Sequence, residues 1–523
     1  MQGLLRLTRR SCLALGLGLV SATAITSPSP ALADFDLRVV QGSDVDTLDP
    51  HVSRSVPSQI VFLNIFENLV KWNDPSLSEV VPDLAESWTT SDDGLTWTFK
   101  LRPGVMFSDG TPFNAEAVKF NLERIVDPTL GSPNRSQLSA ISAVDVIDEF
   151  TVEIKTEAPS PTLLEKLAEV YASMNSPTAV NAHPDDYAQH PVGTGPYLLS
   201  EWIPGEHVIL ERNADFHGTQ GTADSITFRP VPEGAARMIE LQTGNADIAL
   251  NIPPEAAEEI KNNDTTELLV KPSSFQIFFE LNTTKPPFSD PRARLAVNYA
   301  IPRQAIIDKI LLGYASEPNS IIPEGVQGHV AQTPYPYDQE KARALMAEAF
   351  PDGLSEPVVI WTPDGRYPKD KTVAEVIQGN LNDIGIETEF KVWEWASYQK
   401  TLYNEQPGVG TGYGSNDTNM WLLGTGITQA DWRTRRKFYE GDPSNLTGYN
   451  NPVAKELLDK AAVELDYDKR MSYFADLQKL AWNEAPNALT LFNSVQLIGV
   501  GKGIDGLEIF TDGLIGLDQV TKQ

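Results

Sequence analysis

Arg366 stands in Gly365-Arg366-Tyr367-Pro368, just before residues 371–384, whose apolar spacing predicts a helix. The arginine therefore falls at a strand-to-helix junction, where clefts form in α/β folds. A guanidinium is a planar fork that makes two parallel hydrogen bonds to a carboxylate, so at a cleft it would hold an acid. In an exposed loop it would hold nothing. A second charged group follows in Arg433-Thr434-Arg435-Arg436-Lys437, where helical spacing puts Arg433, Arg436 and Lys437 on one face. Such a run either forms a solvated face or borders a cleft. In the second case it draws a ligand with an additional carboxylate.

Enzyme signatures are missing from the sequence. There is no Gly-x-Ser-x-Gly elbow, no His-Glu-x-x-His and no P-loop. Gly408-Val409-Gly410-Thr411-Gly412 lacks the third glycine of a dinucleotide fingerprint and reads as a loop. Six histidines (His51, His183, His190, His207, His217, His329) show no pair at the spacing of a helical or hairpin metal site, so isolated surface histidines are expected. No metal and no cofactor is expected. Ten tryptophans, among them Trp361, Trp393, Trp395, Trp421 and Trp432, can fill cores or wall a ligand cleft.

Residues 1–33 have the three parts of an export signal. Arg6, Arg9 and Arg10 give a basic start, residues 13–20 a short apolar run, and Ala31-Leu32-Ala33 a small-x-small site. Cleavage after Ala33 would start the mature chain at Asp34. Arg9-Arg10 also resembles a twin-arginine signal, and both export routes fit. Cys12 is the single cysteine and has no lipoprotein sequence before it, so a soluble periplasmic protein is expected. Without the signal, 38 basic residues face 71 acidic ones, a charge of -33. That field repels nucleic acid.

The remaining 490 residues suggest two to four domains. Asp36-Leu37-Arg38-Val39-Val40 reads as a strand and residues 58–72 as one core-facing helix. In residues 91–113, Leu95, Trp97, Phe99 and Leu101 alternate with polar residues after an Asp93-Gly94 turn, and Asn114 can cap the next helix behind a Phe113 and Val118 staple. Asp247-Ile248-Ala249-Leu250 is a short strand, and Pro254 and Pro291 start helices, the latter capped by Asp290. Residues 338–350 and 451–465 are helical in pattern and residues 387–393 strand-like. No repeat of 20 to 50 residues recurs.

Several blocks together resemble the family 5 solute-binding proteins of ABC importers. These are Pro82-Asp83-Leu84-Ala85-Glu86-Ser87-Trp88, Asn114-Ala115-Glu116-Ala117-Val118-Lys119-Phe120-Asn121, Val192-Gly193-Thr194-Gly195-Pro196-Tyr197, Leu241-Gln242-Thr243-Gly244-Asn245-Ala246-Asp247-Ile248 and Phe288-Ser289-Asp290-Pro291-Arg292-Ala293-Arg294. They fall in the family's order along nearly the whole mature chain. The resemblance implies an α/β, periplasmic-binding-protein-like two-lobed clamshell (type II, cluster C-like) with an extra α+β domain in the first lobe. By analogy, residues 34–70, 190–275 and 491–523 build lobe I, 71–189 the extra domain and 276–490 lobe II.

The same resemblance implies a monomeric binder without enzymatic activity. It would capture a small peptide or peptide-like solute and deliver it to a permease driven by ATPase subunits, touching the membrane only through that permease. Arg366 matches the arginine that grips the ligand carboxylate in dipeptide-binding relatives. Gly424-Thr425-Gly426-Ile427-Thr428-Gln429-Ala430-Asp431-Trp432 resembles, with inserted residues, the Thr-Gly-Asp-Ala-Asp-Trp loop of glutathione- and peptide-binding relatives. Asp431 and Trp432 would then meet a ligand ammonium, with Asn416 and Asp417 as substitutes. A basic segment 433–437 at the cleft would favour a glutathione-like or opine-like compound over a neutral sugar. A nickel chelate, opine or oligosaccharide binder is the alternative within the family; an exported hydrolase or an envelope chaperone are those outside it.

Overall fold

The computed structural model describes residues 35–523 except 74, 78, 404–416, 427, 443–444 and 485. The export signal, the glycine run 408–412 and Asn416 lie outside the described residues.

One mixed sheet of eleven strands runs through both lobes. Its order is Thr388–Trp393, Val358–Pro363, Met420–Thr425, Thr266–Leu281, Ala488–Gly501, Ile248–Ala249, Asp36–Gln41, Ser225–Pro230, His207–Arg212 and Tyr197–Ile203, with Ala315–Ser316 paired onto Ala488–Gly501. The two long strands, Thr266–Leu281 and Ala488–Gly501, are antiparallel and pass from one lobe into the other. Their register slips between Pro272 and Gln276 and again between Ile277 and Phe278. Proline brings no N–H to the ladder and a bulge bends its strand, which accounts for the break in pairing here.

On one side of this crossing, Leu37, Val39, Ile226, Phe228, Ile248 and Val500 share a core. On the other, Phe279, Leu281, Ile360, Ile377, Leu422 and Leu491 do. A separate four-stranded sheet, in the order Ala85–Thr90, Thr96–Leu101, Thr151–Thr156, Ile141–Asp148, has its own core with helix Ala115–Val126. Here the alternation seen in the sequence is realised. Trp97, Phe99 and Leu101 are buried, Gly94 takes φ 70° in the turn, and the Asn114 side chain accepts from the Ala117 N–H at 3.1 Å.

One element differs from expectation. The apolar stretch 58–72 is a helix only over Val56–Ile65, and Val70–Trp72 is a strand paired with Val80–Pro82. The backbone leaves the helix because its polar groups find distant partners. The Ile65 carbonyl accepts from the Gly195 N–H at 2.9 Å, the Asn68 N–H donates to Asp83, and the Asn68 amide donates to the Leu167 and Glu169 carbonyls.

Candidate ligand cleft

Strand Val358–Pro363 runs parallel to both Thr388–Trp393 and Met420–Thr425, so their C-terminal ends lie along one edge of lobe II. Arg366 sits at that edge, in the turn before helix Asp370–Asp383. Asp370 builds the turn. Its carboxylate accepts from the backbone N–H groups of Gly365, Arg366, Tyr367 and Lys371 at 2.9–3.0 Å, and burial pushes its carboxyl up from the ordinary value despite them. Gly365 at φ 81° and Lys369 at φ 55° complete the bend. The Arg366 side chain is exposed, its guanidinium 5.1 Å from the rings of both Tyr367 and Trp395. Asp370→Ala leaves these N–H groups without their acceptor and is expected to cost about 1–3 kcal/mol. Urea unfolding measures it, and the aromatic seat of Arg366 should loosen with it.

From Arg366 a row of side chains leads into the interlobe space. Tyr367 packs edge-on to Trp395 and lies 6.2 Å from Phe275. A Cβ on Gly424 would come within 2.8 Å of Phe275, Ile277 and Tyr367, so a bare backbone lets these rings cross the strand end. Gly426 then approaches the Asp512 carbonyl of the C-terminal segment, and beyond it stand Glu169 and Tyr171. Lys369 bonds Glu255 at 2.5 Å, so the lobes meet beside Arg366.

Helix Ala430–Phe438 forms the cationic wall. The sequence left open whether its basic run faces solvent; the structure turns Arg433, Arg436 and Lys437 inward. Arg433 is 3% exposed, with its guanidinium 4.2 Å from the Phe278 ring, and burial pulls it down to about 10. Arg436 lies 4.5 Å from the Trp432 ring. Lys437 is ion-paired with Glu280, whose other oxygen accepts from the Trp421 indole at 2.9 Å. Two N–H-bearing nitrogens of Arg433, Nε and Nη1, and the Nε of Arg436 have no hydrogen-bond partner among the described residues. Arg433 and Lys437 thus share one acid, Glu280, with the Arg436 charge beside them. A buried charge without a counter-charge is costly, so this wall asks for an anion.

The acidic groups face it. Burial and the nearby Asp512 push the Glu169 carboxyl up to about 8, and burial lifts Asp512 to about 6. One oxygen of Glu169, the Tyr171 hydroxyl and both polar atoms of the Gln429 amide lack a partner among the described residues. Tyr171 links the walls: burial, Glu169, Arg54 and Arg436 set its ionisation, in that order.

The other expected site residues fall as follows. Asp431 is buried, with Arg435 at 3.1 Å and Lys166 of helix Leu163–Leu167 at 3.9 Å. Burial alone would raise its carboxyl, but Arg435 and Lys166 outweigh burial and hold it below the ordinary value. It thus already has two cationic partners, one from its own helix and one from helix Leu163–Leu167. Trp432 is half-buried under Arg436. Asp417 is exposed in the turn before Met420–Thr425, at the strand end opposite Gly424, and Lys285 is its neighbour. Arg366 thus stands on Tyr367 and Trp395 and Trp432 under Arg436, while Asp417 lies at the strand end opposite Gly424.

Sequence reasoning missed Glu169, Tyr171, Gln429 and Asp512. Glu169 is one acid among 71, and Asp512 reads as a turn former before Gly513, so neither carries a local signal. It also misjudged two kinds of histidine. His51 is fully buried, hydrogen-bonded through Nε2 to the Ser173 carbonyl at 2.9 Å and through Nδ1 to Arg124 at 2.8 Å, and burial pulls it down to about 4. His183 and His190 come together around Asp186. The burial of His51 depends on chain folding that residue spacing does not show, whereas the His183, Asp186 and His190 group is local, at spacings of three and four.

Residues 79–431 match the bacterial extracellular solute-binding proteins, family 5 Middle. The chain belongs to this family. The glutathione-binding protein GsiB of Salmonella typhi is 34% identical over 481 residues, 90% of this chain and 91% of that one. The ABC transporter-associated periplasmic binding protein DppA from Helicobacter pylori, in complex with the peptide STSA, has TM-score 0.80 at 25% identity, covering 92% of this chain and 98% of that chain. The PBP AgaA from A. tumefaciens R10, in complex with agropinic acid, has TM-score 0.81 at 26% identity, covering 93% and 99%. As a family 5 solute-binding protein, the chain is the substrate-binding component of an ABC importer. Its fold is the two-lobed type II architecture, and it works with a membrane permease. Family members are periplasmic, and among the described residues no helix is long and apolar enough to cross a membrane.

Proposed function

We propose that this solute-binding protein captures a peptide-like zwitterion carrying more than one carboxylate, the class to which glutathione and opines belong. The observation that carries the reading is Arg433, buried near Glu280 and Arg436 with Nε and Nη1 lacking a hydrogen-bond partner among the described residues. A ligand carboxylate there would receive charge-assisted hydrogen bonds in a water-poor space. Arg366, exposed on its aromatic seat, takes a second carboxylate. Glu169 and Asp512 take the ammonium, and Trp432 packs beside it. Asp431, held by Arg435 and Lys166, ties the lobes together, and Asp417, at the strand end opposite Gly424, takes no part in this site. GsiB is a glutathione-binding protein and AgaA forms a complex with agropinic acid; both ligands are acids, which agrees with the cationic wall.

The lobes in this reading divide as residues 34–70, 190–275 and 491–523 against 276–490, with 71–189 as the extra domain. The protein is exported to the periplasm with cleavage after Ala33, acts as a monomer, performs no chemistry and hands its ligand to the permease. Titration calorimetry with di- to pentapeptides, glutathione, opines, nickel chelates and neutral oligosaccharides tests it. Acidic zwitterions should bind most tightly and raise the melting temperature, because they bind only the folded state. Tight binding of a neutral oligosaccharide alone would overturn the reading.

Ammonium binding at Glu169 needs its ionised form. With the ligand-free carboxyl near 8, each binding event below that pH releases a proton, so affinity should climb with pH by up to about tenfold per unit between 6 and 8. Glu169→Gln should flatten the slope, and an N-acetylated ligand should show none. Stability runs the other way. The folded state holds this proton more tightly than the unfolded chain, whose carboxyl has the ordinary value 4.5, so the ligand-free protein loses stability as pH rises from 4.5 through about 8. Thermal melts across that range check the sign.

A further inference from the structure

His183, Asp186 and His190 lie on the segment that follows helix Pro177–Ala182 and share no residue with the cleft. His183 ends helix Pro177–Ala182, and His190 follows the single 3-10 turn Tyr187–Gln189. His183 Nδ1 lies 3.5 Å from Asp186 Oδ1, and His190 Nε2 lies 3.5 Å from Asp186 Oδ2. All three donor atoms fall within 4.8 Å of one another. A tetrahedral ion holding its ligands at about 2.1 Å sets them roughly 3.4 Å apart, close to the two distances found here.

The backbone beneath these side chains is anchored. The His183 N–H donates to the Ala179 carbonyl at 3.0 Å, the His190 N–H to the Tyr187 carbonyl at 2.8 Å, and the Gln189 N–H to the Asp186 carbonyl at 2.8 Å. Tyr187 is buried with Ala179 and Val180 against Phe120 and Val192, and its hydroxyl donates to Asn175 at 2.9 Å. The two imidazoles stack with centroids 3.8 Å apart and planes at 25°. Two protonated rings that close would repel, whereas neutral rings can turn their lone pairs toward one cation after a rotation about Cβ–Cγ.

We propose that His183, Asp186 and His190 form a surface site for a divalent transition-metal ion of borderline softness, such as Zn²⁺, with water completing its shell. Two imidazole nitrogens and one carboxylate oxygen suit this class and not Mg²⁺ or Ca²⁺, which prefer oxygen cages. The ion would staple the end of helix Pro177–Ala182 to the turn at 187–189 and so stiffen the loop between them. It would also raise the melting temperature, as any ligand of the folded state does.

The test uses tag-free, chelator-treated full-length protein, titrated with ZnCl₂ by calorimetry and with Co²⁺ by visible absorption. One ion per chain is expected. His183→Ala, His190→Ala and Asp186→Asn should each weaken binding more than about tenfold, since even the loss of a residue that only supports a ligand costs 10–100-fold. These exposed positions leave the fold intact, which an unchanged metal-free melting temperature would show. His207→Ala, at an unrelated His–Glu pair, should bind as the parent does, and Zn²⁺ should raise the melting temperature of the parent and of His207→Ala alone. Absence of a one-to-one Zn²⁺ isotherm, or parent-like affinity in the three site variants, would overturn the assignment. Neither outcome touches the cleft, whose ligands are tested separately.

Discussion

Arg433→Ala is expected to bind its acidic zwitterionic ligand about thirty-fold to several thousand-fold more weakly than the parent protein. Truncating one partner of a buried charged pair costs about 2–5 kcal/mol, and roughly 1.4 kcal/mol is a factor of ten in affinity. The free protein should respond differently. Arg433 is buried over Phe278 with Nε and Nη1 unpartnered among the described residues, and its nearest acid is shared with Lys437. Removing an under-compensated cation from such a place relieves desolvation, so the ligand-free melting temperature should hold or rise. Titration calorimetry on Arg433→Ala and Arg366→Ala, with the free ligand and a carboxamide analogue, separates the two proposed carboxylate seats. Each variant should become indifferent to amidation of the carboxylate it held. An unchanged affinity in Arg433→Ala would remove the cationic wall from the site.

Gly193→Ala is expected to be the most damaging small substitution outside the cleft. A Cβ at Gly193 would lie 2.2 Å from the Ile65 carbonyl oxygen, and one at Gly195 would lie 2.6 Å from the Ile65 carbonyl carbon. Both obstacles are backbone, which cannot rotate away. The Gly193 carbonyl accepts from the Ser108 N–H at 3.0 Å and the Gly195 N–H donates to Ile65, so this strip joins helix Val56–Ile65 to the hairpin unit. Overpacking costs typically about 1–3 kcal/mol and more where nothing can move, so at least about 3 kcal/mol is expected. Gly379→Ala is the control. It meets nothing within 4 Å in helix Asp370–Asp383 and should stabilise by roughly 0.5–1 kcal/mol. Thermal or urea unfolding of the pair decides it, and equal melting temperatures would refute the clash.

Local features were legible in the sequence because their causes are local. Asn114 caps its helix through Ala117, Asp290 caps through Arg292, and Pro254 and Pro291 open helices, each by short-range geometry. The Trp97, Phe99 and Leu101 alternation fixed a strand face because pleat and burial share a period of two. Arg366 falls between strand Val358–Pro363 and helix Asp370–Asp383, the junction that the local pattern predicts. Residues 58–72 misled because apolar spacing alone cannot show that Asn68 bonds Asp83, Leu167 and Glu169.

By itself the sequence determined the family blocks, the caps and turns and the strongly acidic net charge. Each is a property of neighbouring residues or of a sum over the chain. Only the tertiary structure decided which charges lie together in low dielectric. It turned Arg433 inward over Phe278, paired Asp431 with Lys166 from 265 positions earlier and left Glu169 beside Asp512. The physical reason is common to all three: a charged side chain acquires its role from its burial and from the counter-charge that folding sets beside it, and neither is carried by its place in the sequence.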